Sequence, residues 1–356
     1  MSRAAVLVAG LLAIATLCAL CLGTPNISPS RLVALLPGGP ADGLEAVVVR
    51  DVRLPRLLLA LVAGGCLGAA GLVMQEALRN PLAVPEMLGV SSGAALGVAA
   101  PLVLALALPG WSYPLLALLG ACLGGVATLV AAGFGRSPSA VLLTGAAVAA
   151  ALQAALLVLM VMADQLDLAV IFRYLLGSLS GRTWDAWHDV WPWLVATVPL
   201  LVLCAPMLAV LRLGDEDAGA LGLRVRHARL GALAVAVLLI APVVAVCGPI
   251  AWVGFLAPHL ARRLRPEADV LRWLPWTVAC GAVLTVWADQ AARLALKPVE
   301  TPVGAWTALI GVPAGVVLLR SLQSRSSRPG AGSQEVRAGA ETVRAGAMTG
   351  QGGGAR

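Results

Sequence analysis

The chain has 356 residues, of which 60% are hydrophobic and 12% charged, with a formal net charge of +7. A soluble domain carries about a quarter of its residues as charges, so a soluble enzyme or a nucleic-acid-binding module is excluded and a polytopic membrane protein is expected. The positive charge is nearly all arginine: Lys297 is the only lysine, and Pro298 follows it. A phosphate-binding Gly-x-x-x-x-Gly-Lys-Ser/Thr loop is therefore impossible, and if nucleotide drives this protein, another chain binds it.

A membrane helix needs about 20 apolar residues. Taken in chain order, such segments lie near residues 4–23, 54–76, 87–108, 113–134, 139–163, 191–211, 229–247, 250–265, 272–293 and 303–322. They are apolar all round, which argues for helices; membrane strands would alternate. The first follows Arg3 and is too long for a signal-peptide core, so it reads as a span. Between the fifth and sixth lies a shorter apolar stretch, 168–180, too short to cross, which reads as a re-entrant or interfacial helix. The residues from 323 to 356 are Gly, Ala, Ser and Arg with almost no large apolar side chain, so a disordered cytoplasmic tail is expected.

Arginine placement gives an orientation. With the N-terminus inside, seventeen of the 25 cationic residues face the cytoplasm and eight face outward. Both termini are then cytoplasmic. The outward group, which includes Arg53, Arg56 and Arg293, is large enough to need a reason. One is a basic rim that docks an acidic partner or attracts an anionic cargo; the other is helix-end arginines snorkelling to lipid phosphates. Trp184, Trp187, Trp191, Trp193, Trp273 and Trp276 fall at predicted span ends, where indoles favour the headgroup level.

The sharpest local feature is the polar break at Arg79-Asn80-Pro81 between two apolar runs, followed by Gly89, Gly93 and Gly97. Asn-Pro stops a helix. Glycines four apart make a smooth face on which another helix backbone can approach closely. A second polar segment runs from Arg212 to Arg226. Asp215 suits an N-cap, Glu216 and Asp217 follow in the first turn, and Gly222 suits the C′ position. This predicts a surface helix of about two turns that presents Ala218 and Leu221. It could fit a groove on a partner protein or lie flat on the headgroups as a connector. His259 could relay protons or make a structural hydrogen bond. The seven cysteines all sit in apolar runs and read as small buried hydrophobes. With only His188, His227 and His259, no metal site assembles.

Several segments together resemble the membrane permeases of ABC importers for iron–siderophores, haem and vitamin B12, the type II importers. They are Arg53-Leu54-Pro55-Arg56; Gln75 with Arg79-Asn80-Pro81-Leu82-Ala83; Leu88-Gly89-Val90-Ser91-Ser92-Gly93; Leu176-Gly177-Ser178; Leu213-Gly214-Asp215 with Ala218 and Leu221-Gly222; Gly254 with Pro258-His259-Leu260-Ala261-Arg262; Ala288-Asp289 with Arg293; and Pro302-Val303-Gly304 with Thr307-Ala308 and Gly311-Val312-Pro313. The resemblance runs from about Arg53 to Leu319. Val84 replaces the usual acid after Asn-Pro-Leu-Ala, and Gly315 replaces a usual Phe.

The resemblance implies an all-α integral membrane fold of ten helices in two five-helix halves of inverted topology, with a short outer helix and short cytoplasmic coupling helices. It implies a permease of the bacterial cytoplasmic membrane that is not itself an enzyme. Two ATP-binding subunits would carry ATP and Mg, and this chain would bind no cofactor. A second permease subunit, identical or paralogous, would complete the pathway, and an extracytoplasmic binding protein would deliver the cargo. Membrane lipid is the surrounding partner, and nucleic acid has no role. Gly214, Asp215, Ala218, Leu221, Gly222 and Arg224 resemble the ATPase-coupling segment; Arg53, Arg56 and Arg293 the binding-protein docking groups; Asn80, Leu82 and the region of Ser139 the inner gate; and residues 168–180 the outer closing helix. The rival expectation is an ion-coupled secondary transporter, which calls for buried ionisable groups at the bilayer midplane; a passive channel is a third.

Overall fold

A computed structural model describes residues 3–35, 43–109, 111–133, 138–297 and 299–326. Among them there is no strand. The helices are α1 (Arg3–Cys21), α2 (Pro29–Leu35), α3 (Leu44–Val47), α4 (Leu54–Ala77), α5 (Val90–Val103), α6 (Ser112–Ala131), α7 (Pro138–Met162), α8 (Gln165–Leu175), α9 (Trp184–Leu211), α10 (Asp215–Ala220), α11 (Val225–Cys247), α12 (Val253–Leu264), α13 (Val270–Leu294) and α14 (Val303–Ser326). A π-helical turn, Val48–Arg53, joins α3 to α4, and a 3₁₀ turn, Pro85–Leu88, precedes α5. The chain divides into one compact unit from Met1 to Gly311 and a second from Val312 onward, whose described part is the C-terminal stretch of α14.

Among the described residues, seven helical segments are long and apolar enough to cross a membrane; two more, Val90–Val103 and Val303–Val317, are apolar but shorter. This differs from ten full-length spans. The segment expected at 250–265 is α12, a 12-residue helix. Trp252 adopts a left-handed conformation before it, and it ends in basic Arg262 and Arg263. The sixth expected span begins earlier, at Trp184, and the helix in the 168–180 region ends at Leu175. The last helix runs four residues past 322; of the expected tail, 327–356 lies outside the described residues, as does Arg136.

The centre of the first unit is α4, most of whose residues are buried. Bulky side chains could not hold it at the spacing seen. A Cβ on Gly64 would run into the carbonyl of Gly281 in α13, and one on Gly71 into the backbone of Gly254 in α12. In membranes such close approach replaces the hydrophobic drive, because lipid is as apolar as leucine. The expected glycine face repeats the device. Gly93 packs against the backbone of Gly120, Gly97 against Leu116, and Gly89 lies opposite Gly124. Gly89 itself stands just outside α5, left-handed at φ 69°, as its N-terminal cap.

A Gly93→Leu substitution should force α5 from α6, at a cost of at least about 1–3 kcal/mol. Thermal unfolding in detergent should show a marked fall in Tm, while Leu123→Ala on the exposed face of α6 should change it little.

Candidate functional site: the two charged ends of helix α4

At the C-terminal end of α4, the helix closes with Arg79 in a left-handed conformation, φ 47°. The Asn80 amide donates back to the Gln75 carbonyl and the Arg79 amide to Glu76, the hydrogen-bond pattern of a Schellman cap. A non-glycine residue costs roughly 1–2 kcal/mol there. Its side chain is used: the Arg79 guanidinium lies 3.3 Å from Asp215. Asp215 also receives Arg229 at 2.7 Å, and Arg229 donates from Nε to the Ala77 carbonyl. Arg229 is only 1% exposed. Its guanidinium thus ties the first residue of α10 to the last residue of α4.

A second group of charges surrounds it. Glu76 accepts from Arg262 at 2.7 Å and lies 3.8 Å from Arg212, and Arg262 also donates to Gln75 at 2.7 Å. The guanidinium carbons of Arg212 and Arg262 lie 4.5 and 5.5 Å from the centre of the Trp273 ring, within cation–π range. Residues from α4, α9, α11, α12 and α13 therefore meet at one polar junction.

The short helix itself departs from expectation in two details. Gly214, not Asp215, is the N-cap, which leaves the Asp215 carboxylate free to pair with Arg79 and Arg229. Ala218 is fully buried, so it anchors the helix instead of being presented; Leu221 and Leu213, 66% and 57% exposed, are what the surface offers. Gly222 stands at φ 83°, and Leu223 donates to Ala218 and Gly222 to Gly219 in a second Schellman cap. Arg224 is exposed at the start of α11. Asn80 turns its side chain onto the Leu82 amide, 2.9 Å away. Leu82 is exposed, and Ser139 is exposed at the start of α7. His259 bonds the Phe255 carbonyl at 2.8 Å, which is the structural role.

The other end of α4 corrects the expectation of an exposed basic rim. Arg53 and Arg56 are 3% and 6% exposed. Arg53 donates to the carbonyls of Leu20, Cys21 and Pro25, capping the end of α1, and Arg293 donates to those of Ala19 and Leu22. Arg56 forms a fork with Asp289, at 2.8 Å and 3.1 Å, and reaches Glu300 at 2.8 Å. The unpaired last carbonyls of a helix need donors, and these arginines supply them. Arg53 and Arg56 are internal fasteners rather than free docking groups, whereas Arg293 is half-buried. Asp289 stands one helical turn before Arg293, yet its carboxylate pairs with Arg56, while Arg293 is engaged by the carbonyls at the end of α1.

Residues 11–321 match the FecCD transport family. The chain belongs to that family. The Fe(3+)-citrate import system permease protein YfmE of Bacillus subtilis (strain 168) is 36% identical over 301 residues, 84% of this chain and 89% of the relative. The Fe(3+) dicitrate transport system permease protein FecD of Escherichia coli (strain K12) is 38% identical over 302 residues, 85% and 94% of the two chains. The hemin transport system permease protein HmuU of Yersinia pestis is 40% identical over 287 residues, 78% and 84%. Among solved structures, a metal-chelate type ABC transporter in an inward-facing conformation superposes with a TM-score of 0.76 at 28% identity, covering 88% of this chain and 97% of that one. This FecCD protein is thus a multi-pass membrane permease of the ABC-importer class, and the secondary-transporter reading falls away.

The FecCD permease should be sensitive to both charged ends of α4. Asp289→Ala removes the buried acid of Arg56 and leaves it only the more exposed Glu300; removing one partner of a buried pair typically costs about 3–5 kcal/mol, and thermal unfolding should register a loss towards the lower end of that range. Glu300 gives a pH signature. Burial alone would raise its carboxyl, but Arg56, Ser180 and Arg293 outweigh burial and hold it below its ordinary value of 4.5. A depressed carboxyl stabilises the fold above the unfolded-state pKa and loses that contribution as pH falls through the folded-state value. Acidification below pH 4.5 should therefore lower the Tm of the wild type more steeply than that of Glu300→Gln.

Proposed function

We propose that this FecCD permease imports an iron chelate, of the iron–siderophore, haem or iron–citrate type, by alternating access powered by a separate ATPase. Ten membrane passes in two five-helix halves of inverted topology, with both termini in the cytoplasm, form the frame of this reading. In this reading the passes are assigned to the seven long apolar helices, to the shorter Val90–Val103 and Val303–Val317, and to the 12-residue α12. Two ATP-binding subunits carry ATP and Mg and dock on the segment from Gly214 to Arg224. A second permease subunit completes the pathway, and an extracytoplasmic binding protein delivers cargo to surfaces other than the buried Arg53 and Arg56. The relatives support the cargo class: their names are those of iron-citrate and hemin permeases.

One observation carries the mechanism. Asp215 on α10 is bonded through the buried Arg229 to the last carbonyl of α4, and α4 leads directly into the polar break at Asn80. A push on exposed Leu213 and Leu221 therefore reaches the break through ionic contacts rather than through a slack loop. Leu82 beside the break and Ser139 at the start of α7 are the side chains we assign to the inner gate. Arg79 and Arg229 share one carboxylate. Neutralising it leaves two guanidinium groups without their acid, and the buried Arg229 bears most of that loss.

Uptake of ferric citrate by cells lacking their own importer, with an ATPase and a binding protein of a ferric-citrate importer supplied, tests this. Wild type should restore ATP-dependent uptake. Asp215→Asn should leave the ATPase bound and hydrolysing while uptake falls roughly tenfold or more, since tenfold corresponds to about 1.4 kcal/mol, within the value of one charge-assisted bond. Uptake that survives ATPase loss but vanishes with an uncoupler would refute the proposal.

A further inference from the structure

A cavity of about 280 Å³ lies at the C-terminal end of α11, bounded by α5, α6, α8 and the segment that follows α8. Among its lining residues are Arg173, Arg182, Ser178, Ser180, Tyr174 and Cys247. Its far wall is a built frame. The Ser178 amide donates to the Cys247 carbonyl at 2.8 Å and the Tyr174 hydroxyl to Val244 at 2.6 Å. Gly177, at φ 65°, lies against Pro249, and Gly248, at φ 72°, against the Tyr174 carbonyl; neither position has room for a Cβ. Gly181, at φ 71°, then turns the chain, and Arg182 follows it into the cavity wall.

Two guanidinium groups in this place have no acid of their own. Among the described residues, neither Arg173 nor Arg182 makes an ion pair, and the Arg182 Nε is buried without a hydrogen-bond partner. Two acids stand nearby. Glu300 is held by Arg56, and Asp189 feels the Arg182 charge without pairing with it. A buried donor left unbonded costs about 1–3 kcal/mol, and in a largely apolar cavity, with the exposed Arg173 at its rim, that donor asks for an acceptor. Ser178, 9% exposed, accepts the Ser180 amide and keeps its own O–H to donate.

We propose that this cavity binds an anionic oxygen group, a carboxylate or a phosphate, between Arg182 and Arg173 with Ser178 as a further donor. The site is separate from the α10 junction and goes beyond the transport reading. Carboxylate and phosphate share the recognition chemistry, planar or tetrahedral oxygens against a guanidinium fork. They differ in source: a free polycarboxylate such as citrate, or the headgroup of an anionic phospholipid.

The test uses the full chain in phosphatidylcholine nanodiscs, titrated calorimetrically with citrate and with inorganic phosphate. In parallel, native mass spectrometry reads retained lipid from discs that contain phosphatidylglycerol. Arg182→Gln should weaken the bound anion roughly tenfold or more, the scale of one charge-assisted bond. Arg182→Lys should recover part of that loss, and Ser178→Ala should weaken binding severalfold. Citrate or phosphate binding lost in Arg182→Gln supports the proposal with a free anion as ligand. Phosphatidylglycerol retention lost in the same variant supports it with a lipid headgroup. If all three probes behave alike in wild type and Arg182→Gln, or none binds either, only water fills the cavity and the proposal is overturned. If Arg182→Gln elutes as an aggregate, the Ser178→Ala titration decides by the same criterion. Neither ATPase nor uptake enters these measurements, so their failure leaves the import mechanism standing, and the reverse holds too.

Discussion

Arg56 and Asp289 at one end of α4, and Arg229 with Asp215 and Glu76 with Arg262 at the other, hold a helix that has few other handles. Its middle is lined with glycine and alanine, so it can make close backbone contacts but few interlocking ones. Lipid provides no hydrophobic force to press helices together. Small residues settle how near the neighbours come, and charges settle where along its axis the helix stops. Between them they fix α4 against α12 and α13, and with it the position of the break at Asn80.

The junction at the α10 end places strain and charge on the same residue. Arg79 accepts an unfavourable left-handed backbone, and that turn brings its side chain to Asp215. A glycine would close the helix more cheaply but would carry no guanidinium. The cost of the turn is small beside the ionic contacts it adds between the six-residue α10 and the end of α4. The opposite end shows the contrary use of arginine. Arg53 and Arg293 satisfy the terminal carbonyls of α1 and so bind the first helix to the core.

Membrane class, the absence of a nucleotide loop, the polar break and the short helix after residue 213 were legible in the sequence, because each rests on composition, on Asn-Pro chemistry or on the cap at Gly222. The glycine spacing at 89, 93 and 97 announced a close helix contact without naming α6 as its partner. Two readings failed for one reason. Arg53 and Arg56 looked like surface groups because arginine is costly to bury, and Ala218 looked presented because it lies on a polar loop. The partners of the two arginines, the carbonyls of α1 and Asp289, are distant in the chain, and Ala218 is buried by packing that its own polar segment does not show. Asp289 lies four residues before Arg293, yet its carboxylate meets Arg56.

Sequence alone determined that this chain threads a membrane, where it breaks, and that it holds no Gly-x-x-x-x-Gly-Lys-Ser/Thr loop, because apolar length, proline and a single lysine followed by proline are properties of local chain chemistry. Only the tertiary structure decided which charges are internal, which helix stays short, and that Arg173 and Arg182 face one cavity. Arg56 pairs with acids 233 and 244 residues away, Asp289 and Glu300, and no local pattern encodes such a distance.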